Sequence, residues 1–204
     1  MRNFLETTIT IVMGIILTGI ILIGFSGCSE KGILQPMDPV LKIHSSSADI
    51  LMDNFAKAYS GRDLDSYAQL LHDDFIYTFN PDSAKHSGPV YDFFTKEDEL
   101  ITAANMFCGQ PVVNSRGRTL AAITDIDFQV WKQEGQWEMA EGMDSAGSLR
   151  GVFDCVIHIT RDGDSNFTIC GQQLFTVILA DISDDEGAIQ PNYQIIGWQD
   201  LTMN

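Results

Sequence analysis

Basic residues are scarce. Twelve Lys and Arg stand against 28 Asp and Glu, a formal net charge of −16 over 204 residues. Such a surface repels phosphate backbones, which excludes nucleic acid as an expected partner. It also repels anionic lipid head groups, so membrane contact has to come through an anchor rather than a basic face. The glycines of a phosphate loop, a GxSxG elbow and an HExxH helix are missing. Cysteine is sparse too: Cys28, Cys108, Cys155 and Cys170 form no CxxC pair and no Cys/His cluster of zinc type. The acidic run Asp181, Asp184, Asp185 and Glu186 lacks the sixth-position Gly and terminal Glu of a calcium loop, and reads as a solvated hairpin turn. No metal and no cofactor is expected.

What is present divides at Cys28. The chain starts Met1-Arg2-Asn3, is apolar from about Ile9 to Phe25, and then passes through the small residues Ser26 and Gly27. That is the order of regions in an export signal. With a cysteine directly after the small pair, it resembles a bacterial lipoprotein signal, and the resemblance implies a lipid attached to Cys28 after cleavage. The alternative is an uncleaved helix, since Thr7 to Phe25 is about long enough to span a bilayer. Both readings export the rest of the chain. Residues 1–27 are therefore expected to be signal, residues 28–45, with Pro36 and Pro39, a tether, and residues 46–204 one domain long enough to bury a real core. If the envelope has two membranes, Ser29 after the cysteine, rather than Asp, leans the anchor to the periplasmic side of the outer one.

Within the domain, Ser46 or Ser47 caps a helix carrying Leu51, Phe55, Ala58 and Tyr59 at helical spacing, with Gly61 at its expected C-terminal stop. Asp63 opens a second helix bearing Leu64, Tyr67, Leu70 and Leu71. The period then changes to two: Phe75, Tyr77 and Phe79 alternate with Ile76, Thr78 and Asn80. Asn80 to Phe94 reads as a loop. Thr95 and the acids Glu97, Asp98 and Glu99 cap and charge a third helix, expected to bury Leu100, Ala104 and Phe107. Beyond Pro111 come β-like runs: Leu120 to Trp131, turned by Gly135 toward Trp137, then Val152 to Thr160, Phe167 to Ile182 and Tyr193 to Leu201. Helices followed by long strands describe an α+β domain, its helices packed on one face of an antiparallel sheet.

The turn around Asp162-Gly163 leaves the strand register open. A two-residue turn places Cys155 opposite Cys170, where an exported protein would form a disulfide. A three-residue loop instead matches Ile159 with Phe167 and Ile157 with Ile169, and sets Cys155 opposite Gly171; apolar matching across the strands favours it.

The segments Asn54-Phe55-Ala56-Lys57-Ala58-Tyr59, Arg62-Asp63-Leu64-Asp65-Ser66-Tyr67 and Leu70-Leu71-His72-Asp73-Asp74-Phe75 resemble the opening of nuclear transport factor 2-like domains, which include SnoaL-like and ketosteroid-isomerase-like proteins. The closing Ile195-Ile196-Gly197-Trp198-Gln199-Asp200 is similar to their last strand. The resemblance spans Ser46 to the C-terminus. It implies a strongly curved, cone-like sheet, an apolar pocket closed by the helices, and pairing of two copies sheet to sheet. It leaves chemistry open, because one fold hosts many functions.

If the domain is an enzyme of that group, the resemblance implies an isomerase, cyclase or dehydratase with an Asp or His base and a Tyr donor. Asp154 and His158 with Tyr77 are the candidates, His158 being the one His inside a strand. Asp154 and His158 share a face with Val152, Val156 and Thr160, whereas Phe153, Cys155, Ile157 and Ile159 suit burial better, which favours solvation of the pair. His72 and Asp74 sit at a helix-to-strand junction and read as caps; Asp200 is a further candidate. Tyr59, Tyr77, Trp131 and Trp198 are the candidate ligand-binding residues, since pockets are aromatic-lined, although rings at such positions also build cores. The function expected is a lipid-anchored envelope protein that binds a small apolar ligand or an envelope partner without catalysis. The alternatives are the enzyme and a purely structural dimer.

Overall fold

The computed structural model describes residues 43–80, 93–114, 117–140, 147–163, 166–183 and 189–201. Cys28, the apolar leader, most of the tether and the acids Asp184, Asp185 and Glu186 lie outside the described residues. Helices α1 (Ala48–Gly61), α2 (Leu64–Leu70) and α3 (Lys96–Phe107) accompany strands β1 (Leu71–Thr78), β2 (Phe93–Thr95), β3 (Val112–Val113), β4 (Thr119–Leu120), β5 (Ile123–Met139), β6 (Leu149–Arg161), β7 (Phe167–Ser183) and β8 (Ile189–Asp200). The architecture is the expected α+β one, with helices on a large sheet.

Capping chemistry sets the helix boundaries. The Ser47 side chain accepts from the Ile50 backbone N–H and the Asp63 side chain from that of Ser66. Thr95 and Asp98 form a reciprocal capping box at the start of α3. The left-handed residue closing α1 is Arg62 (φ 53°), not the expected Gly61. A side chain in that region is strained, but the Arg62 guanidinium donates 2.7 Å to the Ile123 carbonyl, so the bend also ties the helices to β5.

Six strands form one sheet in the order β2-β1-β8-β7-β6-β5, and β3 pairs with β4. One expectation is corrected. The sheet is mixed rather than antiparallel, since β1 runs parallel to β8, pairing Tyr77 with Trp198; a pairing between the two ends of a domain leaves no local trace in the sequence. The sheet is open, with β2 and β5 as its edges. Phe93 and Phe94, read as the end of a loop, form strand β2 with the capping residue Thr95 on the edge of β1. Leu71, read as helical, begins β1. Gly135 (φ 75°) bends β5 without ending it, and the register shifts between Glu134 and Glu138.

The β6–β7 register matches Ile159 with Phe167, Ile157 with Ile169 and Cys155 with Gly171. Apolar matching has overridden the short turn. Cys155 is therefore buried facing the core, Cys170 lies exposed beside Val156, and all three cysteines of the described residues are free thiols. The Cys155–Cys170 disulfide is excluded because adjacent pairs point to opposite faces of a pleated sheet.

Helix α1 lays Leu51, Met52, Phe55, Ala58 and Tyr59 on the sheet. Phe55 is the hub, with ring centroids 5.3–6.4 Å from those of Tyr59, Tyr67, Phe128, Trp131, Phe175 and Trp198. At the far end, Trp137 donates 2.7 Å to Asp49 and lies over Gly151, where a Cβ would stand 2.8 Å from its ring. The segment before α1 is also fixed: buried Ser45 donates to Asn192 Oδ1 (2.8 Å), and its carbonyl accepts from the Tyr193 N–H (2.8 Å).

Candidate functional site

A small, partly open cavity of about 50 Å³ remains between the helices and the sheet. Its wall is aromatic: Phe55, Tyr59, Tyr77, Phe128, Trp131 and Trp198 line it, with Met106, Ile157 and Ile169. Tyr59, Tyr77, Trp131 and Trp198 are thus brought together around one space. A broader depression of about 680 Å³ lies on the outside of α3 between Asp73 and Ile101. It is open, its Lys96 is engaged by Asp73 (2.9 Å) and the Leu71 carbonyl (2.8 Å), and it gathers no chemistry, so the interior cavity is the better site.

The polar groups of the cavity come from α3, β6, β7 and β5. Glu99 stands on the inner face of α3, 4% exposed, and its Oε1 accepts a 2.8 Å hydrogen bond from the fully buried Tyr67. Burial pushes its carboxyl up from 4.5 to about 7, with the Tyr67 bond pulling the other way. Near neutral pH this group therefore exchanges between acid and carboxylate inside an apolar box. Burial and the nearby Glu99 also raise the Tyr59 and Tyr67 phenols far above the usual range. The Tyr59 hydroxyl lies 3.8 Å from the Met106 thioether Sδ.

On the sheet side, Trp198 Nε1 donates 2.7 Å to Gln173 Oε1, and Gln173 Nε2 donates 3.1 Å to Asp200 Oδ1. Gln173 and Asp200 are buried, so this relay satisfies polar groups that would otherwise be costly. Asp200, a sequence candidate, is part of the relay and not of the cavity wall. Cys155 lines the cavity with its thiol on the Gly171 carbonyl (3.3 Å), and burial pushes it up to about 12, an inert thiol. Trp131 stacks between Phe55 and Phe153 (5.5 and 4.8 Å), and its buried indole Nε1 has no acceptor among the described residues.

The structure does not bring Asp154 and His158 to this cavity. They alternate with the buried Phe153, Cys155, Ile157 and Ile159 and so occupy the other face of β6. There Asp154 accepts from Gln172 (2.9 Å) and His158 Nδ1 meets Thr168 Oγ1 (3.1 Å), both cross-strand pairs. The two lie about 13 Å apart along the strand at its usual rise. Tyr77 lines the cavity without them. His72 and Asp74 lie at the start of β1, where the Asp74 N–H donates to His72 Nδ1 at 3.1 Å.

Glu99 is the residue that the sequence reading missed. The sequence reads it as one of three acids that charge the start of the third helix, with Leu100, Ala104 and Phe107 facing inward. The buried face is instead Glu99, Thr102, Ala103, Met106 and Phe107. Those positions follow the i, i+3, i+4, i+7, i+8 pattern of a helix face, and the pairs Thr102-Ala103 and Met106-Phe107 were the signal. Among the described residues no group of three or more His, Cys, Asp or Glu gathers to hold a metal.

No family model matches the chain and no curated protein matches it. Solved structures are similar to it at low identity. A hexachlorocyclohexane dehydrochlorinase, LinA-type3, from Novosphingobium barchaimii is 12% identical, with a TM-score of 0.45, over 76% of this chain and 82% of that one. An NTF2-like protein of unknown function from Cytophaga hutchinsonii is 11% identical, with a TM-score of 0.40, over 78% and 92%. An NTF2-like protein of unknown function in nutrient uptake from Rhodospirillum rubrum is 14% identical, with a TM-score of 0.44, over 78% and 99%. The likeness goes no further than the overall path of the chain.

Proposed function

We propose that the chain is an exported, lipid-anchored binding module, held to the cell envelope through Cys28, whose domain takes an apolar ligand or the tip of an envelope partner without catalysis. The observation that carries this reading is the aromatic cavity itself: six rings and one protonable carboxyl, with the Asp/His pair of the enzyme reading on the other face of the sheet. The cavity is far below the 300 Å³ or more of ordinary ligand pockets, so a compact molecule, or one end of a longer one, is the occupant. Native mass spectrometry of the protein extracted from its own membrane is the test. A bound small molecule is expected, lost on Tyr77→Leu or Trp198→Leu; a bare chain that also takes up no added apolar compound refutes the reading. For the anchor, Cys28→Ala abolishes labelling by a fatty-acid analogue and leaves unprocessed precursor, and unchanged labelling refutes it.

Buried Glu99 favours one second reading. A carboxyl titrating near 7 in an aromatic-walled cavity has the acidity that a general base or acid needs. The enzyme alternative then runs through Glu99, with Tyr77 as donor, in proton transfer at carbon next to a carbonyl. Turnover of a candidate substrate with a pH profile that Glu99→Gln abolishes would decide for it.

A further inference from the structure

We infer that the occupant is an amphiphile: its apolar end lodges among the rings of the cavity, and a carboxylate at its other end is held by Arg161 in a second hollow toward the β6–β7 turn. The inference rests on the binding reading and names the class of its ligand.

A hollow of about 40 Å³ lies beyond the aromatic cavity, along α3 and beside the start of β7. Met106 lines both spaces and is the wall between them. Along β7 the step from Ile169, in the wall of the inner cavity, to Phe167, in the wall of the outer hollow, is about 7 Å at the usual strand rise. The two spaces are neighbours with different chemistry. The inner one is ringed by aromatics and has Glu99 in its wall. The outer one has Asn105, Gln110 and Arg161, and among the described residues that line it there is no Asp or Glu. In a chain of 28 acids and 12 bases this is a local reversal of charge. The Arg161 guanidinium is placed at that wall, its central carbon 5.1 Å from the centre of the Phe167 ring. Its five N–H donors form a planar fork, which fits a carboxylate with two parallel hydrogen bonds alongside the partners Arg161 already has. The sign and the orientation of the ligand follow together. An ammonium would oppose Arg161, and a carboxylate turned inward would face Glu99 in an apolar space. The acid end therefore lies outward and the apolar end inward. The net charge of −16 does not forbid this, because exposed charges beyond about 8 Å are largely screened at physiological salt. Met106 is unbranched and adaptable, the kind of side chain that re-packs to join two small spaces.

Isothermal titration calorimetry of the full chain in lipid nanodiscs, with empty nanodiscs as the blank, tests this with three probes of equal length: hexanoate, 1-hexanol and hexylamine. Hexanoate is expected to bind saturably and more tightly than 1-hexanol, with hexylamine the weakest. Arg161→Gln is expected to weaken hexanoate about 12- to 160-fold, the span of hydrogen bonds to a charged group, and 1-hexanol hardly at all. Trp198→Leu, at the inner end, is expected to weaken both. If Arg161→Gln does not fold, Arg161→Lys carries the test: it keeps the charge and loses the fork, so hexanoate weakens in part while 1-hexanol holds. Binding of 1-hexanol without hexanoate, hexylamine binding best, or hexanoate binding that Arg161→Gln leaves unchanged overturns the carboxylate inference and leaves an apolar site standing. Equal weakening of hexanoate and 1-hexanol by Arg161→Gln also overturns it, since the arginine would then act on the fold and not on the head group. Hexanoate binding indifferent to Trp198→Leu puts the tail elsewhere and overturns it too. No binding of any probe overturns both this inference and the apolar-ligand reading.

Discussion

Replacing Glu99 by Gln tests whether the buried carboxyl is what the packing makes it. In the folded chain it is almost completely enclosed, and its acidity moves from the ordinary 4.5 to about 7. The folded state therefore binds the proton more tightly than the unfolded one. Between pH 4.5 and 7 the native state holds more protons, and stability falls as pH rises. Below 4.5 Glu99 is neutral in both states and costs nothing. Above 7 it is ionised in both, and the whole penalty of the buried charge is present. Each tenfold change in acidity is worth about 1.4 kcal/mol, so the penalty approaches about 3 kcal/mol. Gln resembles the neutral acid in shape and can still accept from Tyr67. Urea unfolding of wild type and Glu99→Gln at intervals from pH 4 to 9 isolates the effect, because every other titrating group cancels in the difference. The variant is expected to gain on wild type by about 3 kcal/mol across the window and then level off. Parallel stability curves from pH 5 to 8 would refute the burial argument and make Glu99 a solvated first-turn acid.

Phe55→Ala removes the ring at the centre of the aromatic cluster, 1% exposed, and should cost about 3–5 kcal/mol; a loss under 1 kcal/mol in urea unfolding would mean that the neighbouring rings collapse into the space. Gly151→Ala forces Trp137 away from a Cβ only 2.8 Å from its ring and strains its bond to Asp49. A loss of about 1–3 kcal/mol is expected, as in other overpacked sites, with a shift in tryptophan emission; a neutral outcome would show that the indole moves freely. In the native chain Cys170 should react with a thiol reagent at pH 8 while Cys155 stays protected until denaturation; equal rates, or a mass lower by two hydrogens, would contradict the register.

Much of the fold was legible where the signal is local. Ser47, Asp63 and Thr95 stand at the starts of the three helices because a side-chain oxygen there meets an amide that the helix leaves unbonded. The strand register of β6 and β7 followed from matching Ile157 with Ile169 and Ile159 with Phe167, since one residue of slip moves every side chain to the other face. The parallel pairing of β1 with β8 was beyond reach, because nothing within either strand encodes a partner so distant along the chain. Arg62 rather than Gly61 took the left-handed position because a guanidinium bond to Ile123 outweighs a preference that belongs to the backbone alone.

The candidate site was half legible for a sharper reason. Tyr59, Tyr77, Trp131 and Trp198 could be named because large rings go inward whatever the function. Glu99 could not, because a carboxylate beside Glu97 and Asp98 at a capped helix start has a sufficient explanation in the solvated first turn. One turn of geometry separates the two roles. The capping box fixes the phase of α3, and that phase points Asp98 back at the Thr95 N–H and Glu99 at Tyr67. The cap that disguised Glu99 is therefore also what aims it into the cavity. Shifting the phase of α3 by a residue would turn the carboxyl out to water and return it to ordinary acidity.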